Sequence, residues 1–282
     1  MINNIFRKDL LKGEVAVITG AGRGIGRGIA LGLSRLGANI VLVDVNKLEK
    51  PHHQYRSLWS GGFDEALKTV KEIRNNKSIA VECDITKDNQ VSSMVKKTID
   101  TFGGIDILVN NAGVVKAADL TDIKEEEWDY GIDVNIKGAF LCCRKVVPYM
   151  KKKRSGRIIN ISSVAGFRPY AGMSNYCSSK FAIIGFTQSL ALELAPFNIT
   201  ANVICPGIVD TQMWTLLKAE FKKPDEKPEE FFRRYVHSFI PLGRAQTPED
   251  IAATVVFLAS MSNITGAIIP VSGGAELTSA RV

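Results

Sequence analysis

The stretch INISSVAGFRPYAGMSNYCSSKFAIIGF, residues 159–186, carries the densest chemistry in the chain. Tyr176 and Lys180 are four residues apart at the start of a helical pattern, so they share one face, a turn apart. Ser163 closes the preceding apolar run. A phenol titrates near about 10, so Tyr176 acts as a base near neutrality only if something stabilises its phenolate. An ammonium on the same face does this, and bringing the pKa to about 7 needs roughly 4 kcal/mol, which a close cation in a partly dry site supplies. Ser163 can then hold a substrate oxygen by hydrogen bonding. Taken singly these are weak signals, since Tyr-x-x-x-Lys on a helix is commonly a surface pairing and Ser-Ser after a strand is commonly a cap.

A second constellation gives them context. TGAGRGIG, residues 19–26, follows an apolar run and opens a helical pattern. GxGxxG does not fit, because position 25 is Ile; the usable glycines are Gly20, Gly24 and Gly26, with Arg23 and Ile25 between them. Glycines there allow a tight turn and let backbone N–H groups approach a pyrophosphate at a helix N-terminus. No Lys-Ser/Thr follows, which excludes a Walker A loop. Asp44 ends the next apolar run, where a carboxylate accepts hydrogen bonds from an adenosine ribose diol and repels a 2′-phosphate. That favours NAD over NADP, while the Arg23 guanidinium, able to pair with a phosphate, pulls the other way. The positive charge of an oxidised nicotinamide ring would add to that of Lys180.

These residues need a scaffold. Short β-branched apolar runs recur at 15–19, 40–44, 79–84, 107–113, 157–163, 199–207 and 267–273, as strands buried on both faces require. Helical patterns lie between them. One follows Gly24 and stops at Gly37; another, PEDIAATVVFLAS at 248–260, opens with Thr247 as N-cap and Pro248 in the first turn. This alternation predicts a single-domain α/β protein, a doubly wound seven-stranded parallel sheet with helices on both faces. Residues 210–240 interrupt the rhythm as two short helices around a charged turn, and form a candidate substrate lid.

Composition agrees. The 282 residues are 45% hydrophobic and 23% charged, with no apolar run long enough to span a bilayer. The N-terminus lacks the pattern of a secretory signal, which points to the cytoplasm. The five cysteines are scattered without metal-ligand or CxxC spacing, and His52-His53 lack a supporting cluster, so no metal is expected. The net charge is +7, and its densest run, Lys151–Arg154, lacks interleaved aromatics and reads as a solvated helix end, not a nucleic-acid patch.

Jointly, TGAGRGIG, NNAG at 110–113, Asn135 in DVNIKGAF, Ser163, Tyr176-Cys-Ser-Ser-Lys180 and Pro206-Gly207 with Val209 and Thr211 resemble the short-chain dehydrogenase/reductase family, from about Gly13 to Gly274. The resemblance implies a Rossmann fold and hydride transfer between NAD and a secondary alcohol. Tyr176 would be the general acid/base, Lys180 would lower its pKa and hold the nicotinamide ribose, Ser163 would orient the carbonyl, and Asn135 would support a water in a proton relay. Asn111, Ala112 and Gly113 would line the adenosine side, Asp84 and Ile85 the adenine, and Val209 and Thr211 the nicotinamide carboxamide, with Pro206 and Gly207 also on the cofactor. A tetramer is also implied, in keeping with helices at 135–150 and 176–195 that are apolar on more than one face.

PGIVDTQMW resembles the corresponding stretch of acetoin/butanediol and polyol dehydrogenases, and Phe167, Pro169, Tyr170, Met213 and Trp214 would line an apolar pocket. The alternatives are a 3-oxoacyl-[acyl-carrier-protein] reductase, expected to prefer NADPH, and a nucleotide-sensing protein without turnover. Forty residues separate Asp44 from Asp84, about a dozen more than the family needs. In position and length the 46–62 insertion resembles that of carveol-dehydrogenase-like members with tightly held NAD. It is read either as a flap over the cofactor, with Tyr55 or Trp59 as covers, or as a tolerated surface loop.

Overall fold

A computed structural model describes residues 9–46, 61–74, 76–214, 218, 222 and 225–278. Residues 1–8, most of the 46–62 insertion including His52, His53, Tyr55 and Trp59, and parts of the 210–240 segment lie outside the described residues.

Seven strands form one parallel sheet: β1 (Val15–Thr19), β2 (Asn39–Asp44), β3 (Ser78–Glu82), β4 (Ile107–Asn110), β5 (Gly156–Ile161), β6 (Ile199–Pro206) and β7 (Ile268–Val271), in the order β3-β2-β1-β4-β5-β6-β7. Alternate side chains of each inner strand feed opposite layers. Ala16, Ile18, Ile40, Leu42 and Val109 pack against Ile29, Leu33 and Val255 of one helical layer, whereas Val17, Val41 and Leu108 pack against Met94, Val146 and Leu194 of the other. This is why the sequence shows unbroken apolar runs. The edge strand β7 departs from that expectation: Ile268 is 39% exposed and Pro270 sits where an outward face need not donate to a ladder.

The first layer holds α1 (Gly24–Arg35) and α8 (Pro248–Ser260). They pack closely because a Cβ on Gly28 would come within 2.7 Å of Pro248 Cβ. α8 begins as predicted, with Thr247 and Asp250 in a reciprocal capping box. α2 (Gly62–Glu72) joins this layer through Ala66, α3 (Asp88–Phe102) joins the opposite one through Val91, Met94 and Val95, and α7 (Pro228–Phe239) packs in a smaller cluster with Ile208 and Ile240. In the second layer, α4 (Glu125–Ile132) continues through a π-helical turn, Asp133–Lys137, into α5 (Gly138–Lys153), with α6 (Ser174–Leu194) beside it. On the outer faces of α5 and α6, Phe140 and Phe181 stand exposed while Leu141 and Ile183 are buried.

The basic run ends α5, where Lys153 pairs with Asp106, Lys151 with Glu193, and Arg154 donates to the Pro196 carbonyl. Among the described residues no helix is long and apolar enough to cross a membrane, and no group of three or more His, Cys, Asp or Glu is placed to hold a metal. Strand order reverses between β1 and β4, which opens a crevice at the carboxyl ends of the strands.

Candidate active site

One cleft, of about 1490 Å³ with its solvent-open part included, runs along that crevice. Its lining runs from the glycine turn after β1 to residues past β6, an extended site of the kind a dinucleotide occupies across such a crevice. All the residues assigned above to a cofactor line it: Gly20, Arg23, Gly24, Ile25, Gly26, Asp44, Asp84, Ile85, Asn111, Ala112, Gly113, Tyr176, Lys180, Pro206, Gly207, Val209 and Thr211.

At one end β1 passes into the glycine turn. Gly20 (φ 63°) and Gly24 (φ 49°) are left-handed, a conformation other residues adopt only under strain. A Cβ on Gly26 would overlap the Gly20 carbonyl oxygen, so the third glycine is required by close approach. The NNAG segment clamps the turn. Asn111 Nδ2 donates to the carbonyls of Thr19 (2.9 Å) and Gly20 (3.0 Å), and Thr19 Oγ1 accepts the N–H groups of Asn111 and Ala112. The first turn of α1 contains neither a side-chain cap nor an acidic residue. Its N–H groups and the positive end of the helix dipole therefore suit an anion such as a pyrophosphate.

Asp44 ends β2 beside this turn. Its Oδ2 accepts Gly22 N–H and its Oδ1 accepts Val45 N–H, both at 2.8 Å. Burial holds the carboxyl above the usual Asp range, although these two N–H groups and Arg23 act in the opposite sense. Gly22, which the sequence pattern passed over, is thus part of the site: its N–H fixes the acid, and a Cβ there would overlap the Gly62 carbonyl oxygen. Beyond β3, Asp84 Oδ1 accepts the N–H and hydroxyl of Thr86, and Ile85 packs where Gly138 leaves room.

At the other end, β5 stops at Ile161. Ser163 caps the short 3-10 turn Val164–Gly166, its Oγ accepting Ala165 N–H at 3.1 Å. The first two turns of α6 bring Tyr176 and Lys180 to the same spot. Burial dominates the Tyr176 phenol and pushes its pKa up to about 12, with the neighbouring Ser163 hydroxyl acting in the opposite sense. Lys180 is 4% exposed, donates from Nζ to the Ile161 carbonyl at 3.1 Å, and lies with Nζ 5.6 Å from the Tyr176 ring centroid. Burial brings this ammonium down to about 8. With this chain's own groups, then, the phenol is raised and not lowered, contrary to the sequence expectation, because desolvation disfavours the phenolate.

Asn135 lies behind the cleft wall, on the π-helical turn. Its Oδ1 accepts Val114 N–H (2.8 Å), and its Nδ2 donates to the Val114 carbonyl and to Ser179 Oγ (2.9 Å each). Ser179 in turn donates to the Tyr176 carbonyl at 2.7 Å. The side chain expected to support a water is engaged by protein groups, and it ties the first turn of α6 to the loop after β4.

Past β6, Gly207 donates its N–H to the Val271 carbonyl at 3.0 Å, and a Cβ there would meet Gln246 Oε1 at 2.8 Å. Thr211 then lies over Gly24, and Gln212 Oε1 accepts from Arg23 Nη1 at 3.2 Å. Met213 and Trp214 line the cleft and cluster with Val115, Ala117, Met173 and Tyr176. Phe167, Pro169 and Tyr170, grouped with them from sequence, are not among the lining residues; Tyr170 instead meets Arg168, whose guanidinium is 5.8 Å from its ring. Lining residues that sequence reasoning missed include Ser162, Val114 and Gln212. Ser162 Oγ donates to the Lys180 carbonyl, and its adjacency to Ser163 was the available signal.

The arrangement can hold an anionic dinucleotide along one wall and move a proton at Tyr176 Oη. Comparison with known proteins agrees. Residues 14–221 match the short chain dehydrogenase family model. A 3-oxoacyl-[acyl-carrier-protein] reductase FabG of Staphylococcus epidermidis is 40% identical over 92% of this chain and 97% of its own, and one of Thermotoga maritima is 38% identical over 94% and 98%. The structure of levodione reductase superposes with a TM-score of 0.84 at 28% identity, covering 95% of this chain and 99% of that one. The chain accordingly belongs to the short-chain dehydrogenase family, whose members are oxidoreductases that bind a nicotinamide cofactor.

Proposed function

We propose that this protein interconverts a secondary alcohol and its ketone with NAD as cofactor and Tyr176 as general acid/base. The observation that carries the reading is a single cleft with the Asp44 carboxylate at one end and Ser163 and Tyr176 beside Lys180 at the other. When bound, the nicotinamide supplies or accepts the hydride and, oxidised, brings a second positive charge. The glycine turn and the N-terminus of α1 bind the pyrophosphate, and Asp44 accepts the ribose hydroxyls. Ser163 donates to the substrate oxygen. In the reductive direction Tyr176 Oη gives that oxygen its proton; in the oxidative direction it takes one away. Lys180, fixed on the Ile161 carbonyl, lowers the cost of the phenolate, while Asn135 holds the helix turn that carries Tyr176.

The substrate's carbon skeleton rests on an apolar wall that includes Met213 and Trp214, backed by Val115, which supports an uncharged alcohol, diol or cyclic ketone. Residues 210–240 are read as the lid, since Trp214 also packs on Phe232 and Tyr235 of α7 with ring centroids 5.4 Å apart. Exposed Phe140 and Phe181 support a homo-oligomer, a tetramer by family likeness. A second reading, reduction of a 3-oxoacyl thioester on an acyl carrier protein, is favoured by the relatives that carry that name. A panel of secondary alcohols, diols, cyclic ketones and 3-oxoacyl thioesters assayed with NAD(H) and NADP(H), with Tyr176→Phe as control, separates them. Turnover of thioesters with NADPH alone supports the second reading, and full activity of Tyr176→Phe refutes both.

A further inference from the structure

The β2–α2 junction holds Asp44 more tightly than an acid at a strand end requires. Gly61 (φ 76°) caps α2 in the left-handed region and donates its N–H to the Asn46 carbonyl at 3.0 Å, and Phe63 N–H reaches the Val45 carbonyl at 3.2 Å. Asn46 and Asp64 add a reciprocal pair: Asn46 Nδ2 donates to Asp64 Oδ1, and Asp64 N–H donates to Asn46 Oδ1, both at 3.0 Å. These four bonds dock the first turn of α2 on the end of β2. They press Gly62 against the acid, so that a Cβ on Gly62 would overlap Asp44 Oδ1 and come within 2.9 Å of the Val45 carbonyl oxygen. On the opposite side Gly22 donates to Oδ2, with the Gly62 carbonyl packed over it. The carboxylate is therefore clamped between two glycines that have no room for a side chain. The same packing puts Gly62 on the cleft wall directly beside the carboxylate.

We propose that Gly62, at the start of α2, is a positioning and specificity-determining residue that fixes the Asp44 carboxylate for a 2′-hydroxyl and closes the adjoining space to a 2′-phosphate. The inference rests on the reading of Asp44 as the ribose ligand. It places selectivity in a helix start eighteen residues downstream of the acid, not in the acid alone.

Fluorescence titration of purified protein with NADH and NADPH tests it without any substrate. Wild type is expected to prefer NADH. Gly62→Ala pushes the carboxylate aside and should weaken NADH by about tenfold or more, with NADPH changed by less than about threefold, because the interaction lost is a charge-assisted hydrogen bond that NADPH does not gain. Asn46→Ala, at a half-buried position, removes only the side-chain bonds to Asp64 and should weaken NADH by roughly threefold, which keeps the test open if Gly62→Ala folds poorly. Equal weakening of both dinucleotides in Gly62→Ala overturns the inference, as does unchanged NADH affinity in both variants. A wild type that prefers NADPH overturns the reading of Asp44 itself; a wild type that prefers NADH with insensitive variants overturns only the role of Gly62.

Discussion

Replacing Lys180 with Met isolates the charge from the shape of the site. Lys180 Nζ lies 5.6 Å from the Tyr176 ring centroid. At an effective dielectric of about 20, unit charges at that separation interact by about 3 kcal/mol, equivalent to roughly 2 pH units on the phenol. The phenol starts from about 12, so the loss matters. Alcohol oxidation, which on the proposed reading needs Tyr176 as a base, should fall about 100-fold near pH 7, and the rising limb of its pH profile should move about 2 units to the alkaline side. The wild-type advantage should shrink above pH 8, because burial brings the ammonium down to about 8 and its charge is lost as pH rises through that value. Met fills nearly the same volume and removes a buried charge, so the melting temperature should hold or rise. The assay is initial-rate alcohol oxidation with NAD across the pH range for both proteins. A variant slowed by a constant factor, its rising limb where the wild type has it, refutes the electrostatic argument and leaves Lys180 a purely geometric part.

Three further perturbations are expected to separate parts of the site. Gly26→Ala should weaken dinucleotide binding by more than about tenfold in a fluorescence titration, since its Cβ would overlap the Gly20 carbonyl oxygen and come within 2.6 Å of Asn111 Nδ2. Asn135→Ala removes the partners of the Val114 N–H and carbonyl and of Ser179 Oγ, and should cost about 2–4 kcal/mol, seen as a lower denaturant midpoint. Between pH 9 and 11 the fold should lose stability: buried Cys83 and Cys143 are pushed up to about 12 and Cys205 to about 11, so the folded state keeps protons that the unfolded chain releases. These three thiols together account for up to about 4 kcal/mol per pH unit, more than the opposing gain from Lys180, and urea midpoints at the two pH values measure it.

Much of this architecture was readable in advance because it follows from local patterns. Apolar runs buried on both faces mark β1, β2, β4, β5 and β6, and Thr247 with Pro248 marks the start of α8. The runs fail where a residue leaves the ladder for another task. The run at 107–113 ends as a strand at Asn110, since Asn111 turns its amide to the carbonyls of Thr19 and Gly20. Gly22 and Gly62 were unreadable for a related reason. What they accommodate is a neighbour far along the chain, Asp44, and no spacing rule announces a space that must stay empty. The same holds for the side chain of Asn135, whose partners Val114 and Ser179 are 21 and 44 residues away.

The direction of the two pKa shifts says something about how such a site works. Burial acts on both members of the Tyr176–Lys180 pair, raising the phenol and lowering the ammonium, so it opposes charge on each. A proton resting on Tyr176 near neutrality makes giving that proton to a carbonyl oxygen the ready step. Taking one from an alcohol requires positive charge enough to reverse a desolvation worth several kcal/mol. The value of about 12 holds with Lys180 in place, and bringing it to 8 demands about 5.4 kcal/mol for 4 pH units. On the proposed reading that has to arrive with what binds in the cleft, and a base that is competent only when the cofactor is in place does not exchange protons idly while the cleft is open.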